Sequence, residues 1–215
     1  MRVIKNGQTG YAFTSDLSDT GIEDTIKAAI ELAEIATPDE NRVLPETQSI
    51  SDEDLKLFDT RFDDISAEDK FTFLKQVEKA ALAYDERVIM TNMLTYGDQS
   101  NEVYLANSKG FSGHYRNTAA YSFLMGVAKG EDGMMNAMNI GIGQSLYDLN
   151  PEEIGRGAGK RAVELLDGKP VPTQKCTVVF DALVTSELLG YLSMAMTANA
   201  IQRGRSFLVD KLGED

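Results

Sequence analysis

Short alternating runs open the chain. Arg2-Val3-Ile4 and Tyr11-Ala12-Phe13 flank a stretch holding Asn6-Gly7, the strongest short turn signal, and this predicts a hairpin over residues 2–13. A helical period follows. Ile22, Ile26, Ala29, Ile30 and Ala33 share one face behind Thr20-Gly-Ile-Glu23, which has capping-box spacing, and Pro38 ends the helix because the residue before proline leaves helical geometry. Residues 37–65 are polar and weakly periodic, with Pro38, Pro45 and the acidic run Ser51-Asp-Glu-Asp54. They read as a connector with a short helical turn and as a domain boundary. Ser66-Ala-Glu-Asp69 starts a second helix with the apolar stripe Phe71, Leu74, Val77, Ala81 and Tyr84.

From residue 86 the period becomes two. Val88, Met90, Asn92, Leu94 and Tyr96 alternate with their neighbours as far as Gly97-Asp98, and residues 102–107 form a short second strand that turns at Lys109-Gly110. A long strand then carries Tyr115, Asn117, Ala119, Tyr121, Phe123, Met125 and Val127 against smaller residues. After Gly130-Glu-Asp-Gly133, a fourth strand alternates Met134, Asn136, Met138, Ile140 and Ile142. Short turns between four strands predict an antiparallel meander with one buried face. The expected core joins Tyr121, Phe123 and Met125 to Phe71, Leu74 and Val77. Asn150-Pro151-Glu-Glu153 opens a third helix bearing Ile154, Ala158, Ala162 and Leu165, which ends at Asp167-Gly168. Beyond Lys169-Pro-Val-Pro172 come a strand over Cys176 to Phe180 and an apolar helical stretch over residues 182–203. The fold class is α+β: a meander covered by the helices at 67–83 and 151–166.

Composition narrows the chemistry. With 42% hydrophobic and 26% charged residues, the chain is an ordinary globular one rather than a disordered or fibrous one. Cys176 is the single cysteine and His114 the single histidine, so a disulfide framework and a zinc site built from this chain are both excluded. A formal net charge of −13 argues against direct nucleic-acid binding and against anionic membranes. No run of 18 apolar residues exists, and no signal-peptide pattern opens the sequence, which points to a cytoplasmic protein.

Few motifs survive inspection. Gly155-Arg-Gly-Ala-Gly159-Lys160 lacks the first glycine and the Ser or Thr of a phosphate loop, so it reads as small residues on a packed helix face. Asn139-Ile-Gly141-Ile-Gly143 lacks the third glycine of a dinucleotide fingerprint. His114 is a candidate general base, but a hydrogen-bonded strand histidine is the plainer reading. The acidic pairs Asp63-Asp64 and Glu152-Glu153 sit in a connector and a helix cap. Nine methionines serve adaptable core packing or an interface for a flexible ligand. Arg203, Arg205 and Ser206 break an acidic surface. Anchoring a helix end and contacting a partner or peptide both remain open for them.

The opening Arg2-Val-Ile-Lys-Asn-Gly-Gln-Thr-Gly-Tyr-Ala-Phe-Thr-Ser-Asp-Leu-Ser18 resembles the first domain of the TldD/PmbA family, whose members are labelled modulators of DNA gyrase and associated with metallopeptidase activity. The Leu-Asn-Pro-Glu-Glu153 helix resembles the end of that family's middle domain. Val178-Val-Phe-Asp-Ala182 and Arg203-Gly-Arg-Ser-Phe-Leu-Val-Asp-Lys-Leu-Gly213 are similar to the opening of its third. In the TldD branch a zinc-binding His-Glu-x-x-x-His follows this strand; here Gly190, Tyr191 and Ala195 occupy those places. The resemblance is therefore to the PmbA/TldE branch, which lacks the zinc motif.

The resemblance implies a partial first domain over residues 1–50, a middle α+β domain over 51–168 and the start of a third domain over 169–215. At roughly half the family's length, the chain is expected to be a partial gene product or a fragment. The implied function is a non-catalytic subunit of a TldD/TldE-type metallopeptidase acting on unfolded peptides. It has no catalytic residue or cofactor of its own, with zinc held by a TldD-like catalytic partner; a homo-oligomer is the other assembly. Arg203, Arg205 and Ser206 are the expected partner or peptide contacts. A stand-alone regulatory or binding module of the gyrase-modulator kind is the alternative.

Overall fold

A computed structural model describes residues 1–46 and 53–213. Ser51 and Asp52 of the acidic run, and the expected boundary at residue 50, lie outside the described residues. The chain divides into two compact units, Met1–Gly168 and Lys169–Asp215.

The first unit begins with the hairpin β1 (Arg2–Lys5) and β2 (Gln8–Tyr11), paired Arg2 to Tyr11 and Lys5 to Gln8. Its ladder runs closer to the turn than expected, because Asn6 (φ 53°) and Gly7 (φ 74°) close a two-residue loop in the left-handed region. Helix α1 (Asp19–Ile35) is capped by Ser18, whose hydroxyl accepts from Gly21 N–H, so the cap lies two residues before the expected Thr20. The helix ends before Pro38, as expected. Gln8 ties the hairpin to the end of α1 by donating to Ala36 O at 2.7 Å.

Helix α2 (Ala67–Leu82) starts at the Ser66–Asp69 capping box, which contributes about 1 kcal/mol. A three-stranded antiparallel sheet follows in the order β3 (Val88–Ala106), β4 (Ser112–Lys129), β5 (Met134–Gly143). Helix α3 (Pro151–Leu166) returns across it, capped by Asn150, which accepts from Glu152 and Glu153 N–H. Both helices pack on one face of the sheet, as the α+β reading anticipated.

Two expectations are corrected here. The strands at 88–96 and 102–107 are one continuous β3, so the sheet has three strands and not four. Gly97-Asp98 makes no turn. Gly97 lies opposite Tyr121, and a Cβ there would sit 2.5 Å from Tyr121 Cζ, so the glycine makes room for a cross-strand ring. Second, the buried face of β4 is the small one. Thr118, Ala120, Ser122, Leu124, Gly126 and Ala128 point to the helices, while Tyr121, Phe123 and Met125 point away.

On α2 the buried positions are Phe73, Val77 and Ala81; Phe71 is 61% exposed. The reason is close approach. A Cβ on Gly155 of α3 would lie 2.2 Å from Val77 O, which puts the backbones of α2 and α3 nearly in contact. Against helices packed that tightly, the middle strand β4 presents mainly small side chains, with Leu124 the largest fully buried one. Gly155 and Gly159 are therefore helix-packing residues, in agreement with the reading of Gly155 to Lys160.

In the second unit, the apolar stretch breaks into α4 (Ala182–Ala195) and α5 (Ala198–Gln202), because Thr197 caps a new helix by accepting from Ala200 N–H. Cys176 to Phe180 has no ladder partner among the described residues, so the expected strand is absent.

Candidate functional site

Where β5 has ended, residues 57–59 take its place beside β4. Thr118 N–H donates to Leu57 O, and Asp59 N–H donates to Thr118 Oγ1, each at 3.0 Å. This route buries the Asp59 carboxylate. It accepts from the Arg61 backbone N–H and Nε (2.9 Å each), from Arg61 Nη2 (2.8 Å) and from the Ser145 hydroxyl at 2.5 Å, which fills its four lone-pair sites. The Arg61 bonds, and then the Ser145 bond, hold Asp59 well below the usual carboxylate range. Arg61 in turn lies over the Tyr147 ring at 4.6 Å. A carboxylate so fully occupied has no free lone pair for a substrate proton. It acts as a clasp joining the connector to the segment before α3.

Outside this clasp lies a cleft of about 620 Å³, lined among others by Lys56, Arg61, His114, Arg116 and Gln144. His114 sits on the arm of β3 and β4 that extends past β5. Its Nε2 is 3.1 Å from Glu102 Oε1, and its ring stacks on Tyr104 at 4.7 Å. Hydrogen bonds from Tyr104, and then from His114, lower the Glu102 pKa. The same Glu102 bond raises that of the Tyr104 phenol. No hydroxyl or thiol nucleophile is bonded to the imidazole among the described residues, and Arg116 lies over the Phe58 ring at 3.8 Å. The arrangement is a cross-strand polar cluster, the hydrogen-bonded strand histidine of the sequence reading.

Arg203, Arg205 and Ser206 are together in the second unit. Arg203 caps α5, Gly204 adopts φ 63°, Gly204 N–H donates to Ile201 O, and Arg205 N–H donates to Ala200 O at 2.8 Å. These bonds make a Schellman terminator, which explains the Arg-Gly-Arg spacing through its glycine. Ser206 Oγ donates to Ala195 O at 2.7 Å and so satisfies the end of α4. Both arginines are exposed. The structure thus uses the serine internally and leaves the arginine heads at the surface.

Gly190, Tyr191 and Ala195, the places to which the resemblance assigns the zinc motif, lie on α4 and supply one phenol and neither imidazole nor carboxylate. That donor set does not fit zinc. Among the described residues no helix is long and apolar enough to cross a membrane.

The Asp59–Ser145 clasp had no sequence signal, because its partners are 86 residues apart. The pairing of Tyr104 with His114 and of Glu102 with Arg116 was readable in principle from the Lys109-Gly110 turn, once each strand is counted back from it.

Comparison with known proteins matches residues 60–166 to the PmbA/TldA metallopeptidase central domain, residues 1–33 to domain 1 and residues 173–215 to the C-terminal domain. The metalloprotease PmbA homolog of Haemophilus influenzae is 28% identical over 99% of this chain and 47% of its own. A metalloprotease of Methanothermobacter thermautotrophicus is 29% identical over the whole chain and 47% of its own. The crystal structure of a candidate modulator of DNA gyrase from Bacteroides thetaiotaomicron superposes with a TM-score of 0.86 and 30% identity, over 98% of this chain and 49% of that one. TldE from Thermococcus kodakarensis shares the fold, with a TM-score of 0.60 and 21% identity over 75% of this chain and 36% of its own. The chain spans about half the length of the curated relatives it matches. With all three domain models matched in order along its length, the chain belongs to the PmbA/TldD family.

Proposed function

We propose that this chain is a non-catalytic subunit of a TldD/TldE-type metallopeptidase that acts on unfolded peptides in the cytoplasm, with zinc supplied by a TldD-like partner. The observation that carries this reading is the zinc-motif position itself: it lies on a formed helix, α4, and presents Gly190, Tyr191 and Ala195. That the matching relatives are named metalloproteases supports a peptidase context for the chain. In this reading Arg203, Arg205 and Ser206 form the partner or peptide contact. A guanidinium clamps a carboxylate by two parallel bonds, and Ser206 fixes the loop that carries the pair. Residues 1–50, 51–168 and 169–215 are the three functional parts.

Co-expression with a TldD-like subunit, followed by size exclusion, metal analysis and cleavage of an unstructured peptide, tests this. The expected result is a complex whose zinc and chelator-sensitive activity follow the partner, while this chain alone has neither. Replacing Arg203 and Arg205 by alanine weakens the complex or its cleavage and leaves the thermal transition of the isolated chain nearly unchanged. Stoichiometric zinc and cleavage by this chain alone overturns the reading. Co-purification with gyrase and no metallopeptidase partner favours a regulatory module instead.

A further inference from the structure

Residues 53–61 of the connector lie beside the arm of β3 and β4 that runs past β5, and the cleft of about 620 Å³ opens between them. That volume falls within the ~300–1,000 Å³ of small-ligand sites.

The cations of the cleft are held in place by the chain itself. Arg116 of β4 lies over the Phe58 ring at 3.8 Å, and Arg61 lies over the Tyr147 ring at 4.6 Å. A guanidinium resting on an aromatic face keeps its in-plane N–H groups for another partner. Arg61 spends its fork on Asp59. Arg116 has no such clamp: the carboxylate opposite it, Glu102, is bonded to Tyr104 and His114. Lys56 makes no ion pair among the described residues. Its backbone has a φ of 51°, uncommon for a residue with a side chain, and is fixed there from both sides. Its N–H donates to Asp54 Oδ1 at 2.9 Å, and its carbonyl accepts from Gln144 Nε2 at 2.5 Å.

The carboxylates that line the cleft are already in use. Asp59 is filled by Arg61 and Ser145. Asp148 Oδ2 accepts from the N–H groups of Gln144 (2.8 Å) and Ser145 (3.1 Å), Asp54 accepts from Lys56 N–H, and Glu53 is engaged as well. One guanidinium and one ammonium are left for a ligand.

We propose that this cleft binds a carboxylate group of an extended peptide, with Arg116 and Lys56 as its cations and Phe58 as the apolar wall beside them. The proposal rests on the reading of the chain as a peptide-handling subunit, and on no part of it that concerns zinc. The planar fork of Arg116 matches a carboxylate bidentately. A single negative charge is what the two free cations can balance. A doubly charged phosphate would face Glu53, Asp54, Asp59 and Asp148 around the same cleft, in a chain of net charge −13. The carboxylate can be the C-terminus of a peptide or an Asp or Glu side chain within it.

Fluorescence anisotropy of the full 215-residue chain with three labelled, unstructured peptides tests this. One peptide has only a free C-terminal carboxylate, the second is its C-terminal amide, and the third is that amide with one internal Glu. The first, the third or both should bind at least about tenfold more tightly than the plain amide, because a hydrogen bond to a charged group is worth that much. Which of them binds identifies the source of the carboxylate. Arg116→Ala should weaken the tighter complex at least about tenfold. Lys56→Gln should weaken it about threefold, as expected for an exposed ion pair. Lys27→Ala, at an exposed position of α1, should leave it unchanged. In the wild-type chain, bound peptide should slow acylation of Lys56 by an amine-reactive ester several-fold and leave Lys27 unaffected, which decides the matter if Arg116→Ala does not fold.

Equal binding of the three peptides, or none, overturns the proposal. So does inorganic phosphate that competes more strongly than acetate, or an affinity that Arg116→Ala leaves intact. Absence of zinc-dependent cleavage in the co-expressed complex, with the carboxylate preference of this chain retained, defeats the peptidase reading alone. Cleavage without that preference defeats the present proposal alone.

Discussion

On β4, the residues pointing at the helices are Thr118, Ala120, Ser122, Leu124, Gly126 and Ala128, and those pointing away include Tyr121, Phe123, Met125 and Val127. By hydrophobicity alone the second set is the better core. By volume it cannot be, because α3 lies so close to β4 that a Cβ on Gly126 would stand 3.0 Å from Ala158 O, and the rings within the layer, Phe73 and Tyr96, come from α2 and β3 instead. Polar atoms on the inner side are answered individually. Ser122 Oγ donates to Thr95 O at 2.9 Å, and Asn139 Nδ2 reaches Glu153 O and Ile154 O at 3.2 Å each. The comparison teaches that alternation selects a pair of faces, while the spacing of the neighbouring layer selects between them. Large apolar residues on the far side are then left outside that core.

The contrast is broken most sharply by truncating one residue on each side. Leu124→Ala removes a fully buried side chain between two helices and should cost about 2–5 kcal/mol in denaturant unfolding. Ile142→Ala, at an exposed site on the outer face, should stay within about 0.5 kcal/mol in dilute protein. Equal losses would mean that the outer face is part of the folding core.

A smaller effect tests the helix spacing. Gly155→Ala places a methyl 2.2 Å from Val77 O and forces α2 and α3 apart, for a loss of roughly 1–3 kcal/mol. A stabilised variant would show that the helices have room, and the argument from volume would fail.

The smallest effect concerns acid. The Asp59 pKa is lowered from an ordinary value of 3.8 by Arg61 and then Ser145, so the folded state keeps it ionised where the unfolded chain takes a proton. Its stabilisation is therefore complete above pH about 4 and is lost as pH falls toward the depressed folded value. Asp59→Asn should lower the thermal midpoint by a constant amount between neutral pH and about pH 5, and the gap to wild type should narrow below about pH 4. A gap that widens in acid would show that the clasp does not hold an ionised carboxylate.

Local signals were the readable ones. The Asn6-Gly7 turn, the Ser66–Asp69 box and the Asn150-Pro151 cap each act within four residues, and each appears where its chemistry requires. Gly97 was misread because a glycine that makes room for a ring looks identical, in sequence, to a glycine that turns a chain. The buried stripe of α2 moved from Phe71 and Leu74 to Phe73 because Phe71 and Phe73 lie on nearly opposite sides of the helix, and only contact with the sheet chooses one. In the second unit, Arg203 and Arg205 were legible as an unusual basic pair. That Gly204 terminates α5, and that Ser206 satisfies the end of α4, needed coordinates.

By itself, then, the sequence determined the order and kind of elements in the first unit, the helix caps, the α+β class and the lack of zinc ligands at Gly190, Tyr191 and Ala195. These depend on side-chain chemistry within a turn or two of the backbone. Tertiary structure alone decided that β3 is continuous, that Asp59 closes on Ser145, and that the small face of the sheet is buried while the aromatic face is left outward. Each of those outcomes depends on distances between segments far apart in the chain, and such distances are set by packing volume, which no local pattern records.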